Sequence, residues 1–198
     1  MKIIECVQKT PEWYAARGGK PTASNFDKLL TTDGKQSKQR TKYMYQLAAE
    51  RVSGVFEEGY QSAAMQRGCE VEEEARRFYE FTTGYEVQRV GFCLSDCGRF
   101  GCSPDGLIGD DGGMQIKCPT AAVHVGYLIE NKLPTDYFQQ VQGELYVTGR
   151  KWWDFISYYP GLQPVVIRVT PESWFHQALG FELNAFCGEL EQIIRRIS

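Results

Sequence analysis

The chain has 198 residues, a length that suits one domain around a single core or two small ones. Hydrophobic residues make up 42% and charged residues 24%, so there is enough apolar surface to offset the entropy of folding, which excludes global disorder. With 22 Lys and Arg against 25 Asp and Glu, the net charge of −3 excludes a uniformly basic surface, and any nucleic-acid site must be a local groove.

At the start, Glu5 interrupts what would be an apolar leader, and no later stretch approaches the ~18 apolar residues of a membrane span. A cytoplasmic protein is expected. Seven cysteines, an odd number, argue for reduced thiols rather than a disulfide framework. Cys93, Cys97 and Cys102 form one cluster, but their spacing lacks the close pair of a zinc knuckle, and they read as small buried hydrophobes.

Residues 10–17 read as a helix with a Thr cap and Pro at its first position, broken at Gly18-Gly19. A second helix begins near 22–24. Residues 31–42 are polar without an apolar period and read as a mobile basic loop leading into a helix that runs to about Val52. Another helix is expected over 62–81. After Gly84 short apolar runs separated by Gly-Asp turns, over 85–90, 91–95, 106–108 and 113–117, predict a β-meander. A helix over 135–148, strands over 152–159 and 164–169, and an amphipathic helix over 171–197 complete the order. That order predicts a single α/β domain over 1–198, a central mixed β-sheet flanked by helices.

The informative segment is Ser103-Pro-Asp-Gly followed by Gln115-Ile-Lys-Cys-Pro. Period two in a strand sends Gln115 and Lys117 to one face and Ile116 to the other, and Asp105 sits one turn upstream. An acid, an amide at a carboxylate-like position and a lysine suit the holding of Mg2+ against a phosphodiester. On the 62–81 helix, Met65, Gly68, Glu72, Ala75 and Tyr79 share a stripe, which turns Glu72 toward the apolar side; the alternative places Glu72 in the solvated Glu72-Glu73-Glu74 run.

These blocks resemble the P-D-x(n)-E-x-K signature of restriction-endonuclease-like nucleases, and specifically the phage lambda exonuclease family of viral recombinases. Arg17 with Thr22-Ala23-Ser24, Gly68 with Glu72 and Glu80-Phe-Thr-Thr-Gly84, Tyr137-Phe-Gln-Gln-Val-Gln142 with Val147-Thr148, and Trp153-Asp-Phe-Ile-Ser-Tyr-Tyr-Pro160 resemble family blocks in the same order, over about 11–160. The resemblance implies a restriction-endonuclease-like core and a 5′→3′ exonuclease that degrades one strand of linear duplex DNA to leave a 3′ tail for recombination. It implies Mg2+, with Mn2+ as a substitute, held by Asp105, the side chain at 115, the Ile116 carbonyl and Glu72, with Lys117 steering the attacking water. It further implies a 5′-phosphate pocket of Arg17, Ser24, Ser103 and Gln140; by themselves Ser24 reads as a helix cap and Gln140 as a surface amide. Homotrimeric rings around the duplex and a single-strand annealing partner, for which the C-terminal helix is a candidate docking element, also follow from the resemblance.

One position departs from the pattern. Residue 115 is Gln where the signature has Glu, so an oxygen donor is kept while a charge is lost, and weakened cleavage with preserved DNA binding is expected. For DNA contacts the candidates are Lys35, Lys38, Arg40 and Lys42, with Arg51, Arg76 and Arg77, and Trp13 with Tyr14 near a duplex end; a solvated basic loop is the alternative for the first four. Two rival functions remain open: a catalytically silent DNA-end-binding module, and a restriction-like endonuclease on the same fold.

Overall fold

The computed structural model describes residues 1–56 and 63–198, without side chains for 63–70. Met65 and Gly68 of the predicted stripe, and the expected helix start at Ser62, therefore lie outside what it describes. Strand β1 (Lys2–Ile4) leads to α1 (Pro11–Arg17), where an extended Thr10 precedes Pro in the first turn and the helix closes with Gly18 N donating to Tyr14 O at 2.8 Å. The second predicted helix is a 3-10 segment, Ala23–Lys28. Helices α2 (Arg40–Ser53) and α3 (Ala63–Thr83) follow, and Gly54 and Gly84 take the left-handed conformation just beyond their ends. Then come β2 (Val87–Gln88), β3 (Phe92–Leu94), β4 (Gly101–Cys102), β5 (Gly106–Ile108) and β6 (Gly112–Lys117). The chain ends with α4 (Ala121–Glu130), a 3-10 turn (Thr135–Tyr137), α5 (Phe138–Thr148), β7 (Trp152–Ser157), β8 (Val165–Val169) and α6 (Ser173–Ile197).

Three expectations need correction. The predicted meander divides between two sheets: β1-β3-β4 form one, and β2-β5-β6-β7-β8 form a five-stranded mixed sheet. Strand β3 pairs back to the N-terminal strand β1, which the local pattern did not announce. Helix α4 was not anticipated either; its run Ala121-Ala-Val-His-Val has no polar face to reveal a helical period. The 31–42 segment is a hydrogen-bonded turn rather than an open loop, with Thr31 N donating to Lys35 O and Ser37 N to Leu29 O, both at 2.8 Å.

Within the larger sheet only β6 and β7 run parallel, as the long α4–α5 crossover between them requires. Their register pairs Met114 with Asp154, Gln115 with Phe155 and Ile116 with Ile156. One face sends Met114, Ile116 and Ile156 into a cluster with Ala75 and Tyr79 of α3. On the other face, Trp153 and Phe155 join Val141 and Leu145 of α5. The alternation that buries Ile116 on one side thus turns Gln115 to the side covered by α5. Helix α5 also lies directly on the 3-10 segment: a Cβ at Gly143 would come within 2.4 Å of the Phe26 ring, so only glycine permits this approach. The β5–β6 hairpin, the Ala23–Lys28 segment and α5 are thereby drawn together.

Candidate functional site

Strand pairing between β5 and β6 reaches Gly106 and Met114 and goes no further, because the chain before β5 contains Pro104, which cannot donate to a ladder. The Ile116 N–H left over is taken by the Asp105 side chain, donating to Oδ2 at 2.6 Å. Gln115 Nε2 donates to the same Oδ2 in a short contact and lies 3.5 Å from the Ile116 carbonyl oxygen. Asp105, Gln115 and the Ile116 carbonyl therefore stand together, as the sequence implied. From α3, Arg76 Nη1 donates to the Asp105 backbone oxygen at 2.6 Å, while its Nη2 holds Glu72 Oε1 at 3.2 Å. Glu72 thus flanks the centre, paired with an arginine. Lys117 Nζ sits over the Tyr137 ring, 5.0 Å from its centroid.

Burial, reinforced by the Glu72 charge, raises the Asp105 carboxyl to about 6, against the pull of Lys117, the Ile116 N–H and Arg76. A carboxyl so placed is ready to release its proton to a cation. Helix α5 contributes a further acid. Gln140 Nε2 bridges Gln115 Oε1 and Glu144 Oε1, at 2.9 Å to each. Glu144 is only 1% exposed, and its Oε2 has no hydrogen-bond partner among the described residues. Burial pushes its carboxyl well up, with Asp105 and Cys93 adding to the rise and Gln140 and Lys117 opposing it. The sequence reading passed over Glu144. Its spacing of four from Gln140 on a predicted helix was the available signal, since that spacing puts two polar groups on one face.

Among the described residues no three His, Cys, Asp or Glu side chains form a cage for an ion by themselves. Mg2+ does not need one, because it binds through one or two carboxylates and completes its shell with neutral oxygens, water and phosphate. Asp105 and Glu144, with the Gln115 amide oxygen and the Ile116 carbonyl, suit that demand, and the orphaned Glu144 Oε2 is the observation that supports the fit.

A second cluster lies at the other end of Ser103-Pro-Asp105. Trp13 Nε1 donates to Ser103 Oγ at 2.9 Å and to Gly91 O at 3.2 Å. The Arg17 guanidinium lies 4.2 Å from the Trp13 ring centroid and donates to Thr22 Oγ1 at 3.3 Å, and Thr22 Oγ1 is 3.4 Å from Ser24 Oγ. Among the described residues no carboxylate is within ion-pair distance of Arg17, and burial lowers its pKa. Arg17, Ser24 and Ser103 are thus gathered around a cation that lacks an ion-pair partner, suited to an anionic group. Gln140 departs from this group: its side chain bonds at the carboxylate centre. The two clusters are linked through one chain segment, with Ser103 and Asp105 at most about 7 Å apart along the backbone.

The DNA-contact candidates divide. Lys35, Lys38 and Lys42 are exposed, Lys35 beside Asp33. Arg40 is not available: it is buried, its Nε bonded to Glu182 and its two terminal nitrogens to Glu189 at 2.8 Å, because α2 packs on α6 through this arginine. Trp13 is likewise a core residue, 7% exposed, whose ring supports Arg17 and Ser103 instead of meeting bases. Arg76 is buried, whereas Arg51 and Arg77 pair at the surface with Glu191 and Glu73. Of the three clustered cysteines, Cys93 and Cys102 are buried opposite one another in β3 and β4, and Cys97 is exposed.

Residues 12–151 match the family described as the YqaJ-like viral recombinase domain. The crystal structure of an alkaline exonuclease, LHK-Exo from Laribacter hongkongensis, is similar to the chain with a TM-score of 0.86 and 37% identity, over 95% of this chain and 96% of that one. The complex of LHK-Exo with dAMP gives the same values. A phage related exonuclease from Haemophilus somnus 129PT shares the fold, with a TM-score of 0.69 and 14% identity over 90% of this chain and 96% of that one. No curated protein matches the chain. The match over residues 12–151 and the LHK-Exo likeness, reached after the hairpin, the acids and the lysine had pointed the same way, place this chain in the YqaJ-like viral recombinase family of lambda-type alkaline exonucleases.

Proposed function

We propose that this chain is a metal-dependent nuclease on DNA, a 5′→3′ exonuclease that consumes one strand of a linear duplex and leaves a 3′ single-stranded tail for recombination. The observation that carries the reading is the short Ser103-Pro-Asp105 link between an Arg17-centred anion pocket and a carboxylate centre with a lysine beside it. Such a link sets the distance between a held strand end and the bond to be cut.

In this reading Arg17, Ser24 and Ser103 hold the terminal 5′-phosphate, and Gln140 orients the side chains of the adjoining centre. A bound Mg2+, or Mn2+ in its place, supplies Lewis acidity at the scissile phosphate. Asp105, Gln115 and the Ile116 carbonyl provide oxygen donors for it, and Glu72 adds negative charge from the flank. Lys117 orients a water toward phosphorus and offsets the charge that gathers on the phosphoryl oxygens. Lys35, Lys38 and Lys42 contact the duplex backbone. On Asp105 and Glu72 alone the neutral Gln115 would leave cleavage impaired; Glu144 is an acid which that expectation did not count. The single-domain organisation, the homotrimeric ring and an annealing recombinase docked on α6, where Trp174 and Phe181 are exposed, belong to the same proposal.

The test uses a linear duplex labelled at a 5′-phosphorylated end, with a covalently closed circle as control, in Mg2+. Release of the 5′ label before internal nucleotides, with the circle intact, is the expected result. Cutting of the circle would instead identify a restriction-like endonuclease. Binding to ends without release would identify a silent end-binding module.

A further inference from the structure

The signature position on β6 is an amide, yet a carboxylate stands beside it on another element. Gln115 Oε1 and Glu144 Oε1 share one donor, Gln140 Nε2, at 2.9 Å each. Three residues thereby form a continuous chain from Asp105: its Oδ2 accepts from Gln115 Nε2, Gln115 Oε1 accepts from Gln140, and Gln140 also donates to Glu144. Glu144 has no arginine or lysine within ion-pair distance among the described residues, and its Oε2 is buried without a partner. A buried carboxylate oxygen left in this condition is costly, and native proteins keep such groups where a cation or substrate completes them. Of the groups whose charge acts on it, Lys117 and Asp105 belong to the same centre, and Cys93 stands on β3.

We propose that Glu144 supplies from helix α5 the second metal-ligating carboxylate that Gln115 no longer supplies from strand β6. The inference rests on the metal-nuclease reading above and deepens it. The acid has changed element while remaining within one amide's reach of its former place. Gln115, kept as an amide, links Asp105 to Gln140 and through it to Glu144, and still carries an oxygen. Charge at the centre is therefore that of two carboxylates, and the chain is competent to hold a divalent cation and to cleave.

The test measures Mn2+ binding by calorimetry without DNA, and strand degradation separately, for the wild-type chain, Glu144→Gln, and the double exchange Gln115→Glu with Glu144→Gln. Thermal unfolding reports on the fold, and the near-isosteric changes keep the packing. Glu144→Gln is expected to weaken Mn2+ binding by about 10- to 100-fold, and the double exchange to regain it. Unchanged Mn2+ affinity in Glu144→Gln, no Mn2+ binding by the wild-type chain, or a folded double exchange that fails to regain affinity would each overturn the assignment. If Mn2+ binding follows the expected order while no form degrades linear DNA, the Glu144 assignment stands and the exonuclease reading fails.

Discussion

Two buried acids, one on strand β7 and one on the helix α5 that covers the sheet, have opposite surroundings. Asp154 of β7 is 2% exposed, and its charge is closed: Arg168 Nε and Nη2 donate to its two oxygens at 2.9 and 2.8 Å, and Tyr79 OH adds a third bond at 2.6 Å. Arg168 is itself packed over Trp152, 3.8 Å from the ring centroid. Glu144 of α5 is equally buried, but its bonded partner is an uncharged amide, and one oxygen has no partner among the described residues. The first arrangement ties α3 to the two strands β7 and β8. The second leaves an acid whose ionisation burial opposes, so that ionising it favours the unfolded state unless a cation arrives. Complete pairing accompanies the acid that ties elements together, and incomplete pairing accompanies the acid assigned to the proposed site.

The comparison would be broken most directly by variants whose stability moves the wrong way. Arg168→Met strips Asp154 of its cation and is expected to destabilise the fold by about 2–3 kcal/mol, read from urea unfolding. Glu144→Gln removes an acid whose ionisation the fold disfavours and should do the reverse, raising metal-free stability above neutral pH by about 1 kcal/mol while metal binding falls. A loss of stability in Glu144→Gln as large as that in Arg168→Met would mean that both acids are structural.

A pH series sharpens the same contrast. Asp105 is raised from its ordinary 3.8 to about 6, so between those values the folded state holds more proton than the unfolded chain. Stability of the metal-free protein should therefore fall as pH rises from about 4 to about 6 through Asp105, and Glu144, which burial raises as well, should extend the fall to higher pH. Asp105→Asn should lose the Asp105 part of this slope and keep the part due to Glu144, which urea unfolding at a series of pH values would detect. The groups facing Asp105 in this window are Glu72, Lys117 and Arg76, with the Ile116 N–H.

The smallest effects belong to the exposed lysines. Lys38→Ala should alter stability by less than about 0.5 kcal/mol, yet lower the slope of log affinity for duplex DNA against log salt by about 1 if it contacts a phosphate. Arg40→Ala should behave oppositely, costing stability because Glu182 would be left buried without its guanidinium.

Much of the site is legible in the chain itself. Asp105, Gln115 and Lys117 follow from strand alternation and one turn, and α1 follows from Pro11 and Gly18, because these are short-range consequences of backbone geometry, whereas the part of the Ile116 carbonyl came only from the family resemblance. The amphipathic stripe on α3 likewise placed Ala75 and Tyr79 inward with Glu72 turned the same way, and Glu72 is half-buried beside Arg76. Basic character in residues 35–42 was equally visible, but which members face solvent was not. Arg40 and Lys38 look alike in sequence; Glu182 and Glu189, on a helix some 140 residues onward, decide between them.

By itself, then, the sequence determined the α/β class, the order of the principal helices and strands, and the hairpin that carries Asp105, Gln115 and Lys117. Tertiary structure decided three further matters: the division of the expected meander into two sheets, the inward turn of Trp13 and Arg40, and the entry of Glu144 into the centre. The physical reason is range. Periodicity and turn chemistry act between residues a few positions apart, whereas pairing of β1 with β3, packing of α2 on α6, and the approach of α5 that Gly143 permits are contacts between distant segments. Whether an acid is closed by an arginine or left open for a cation depends on those distant contacts.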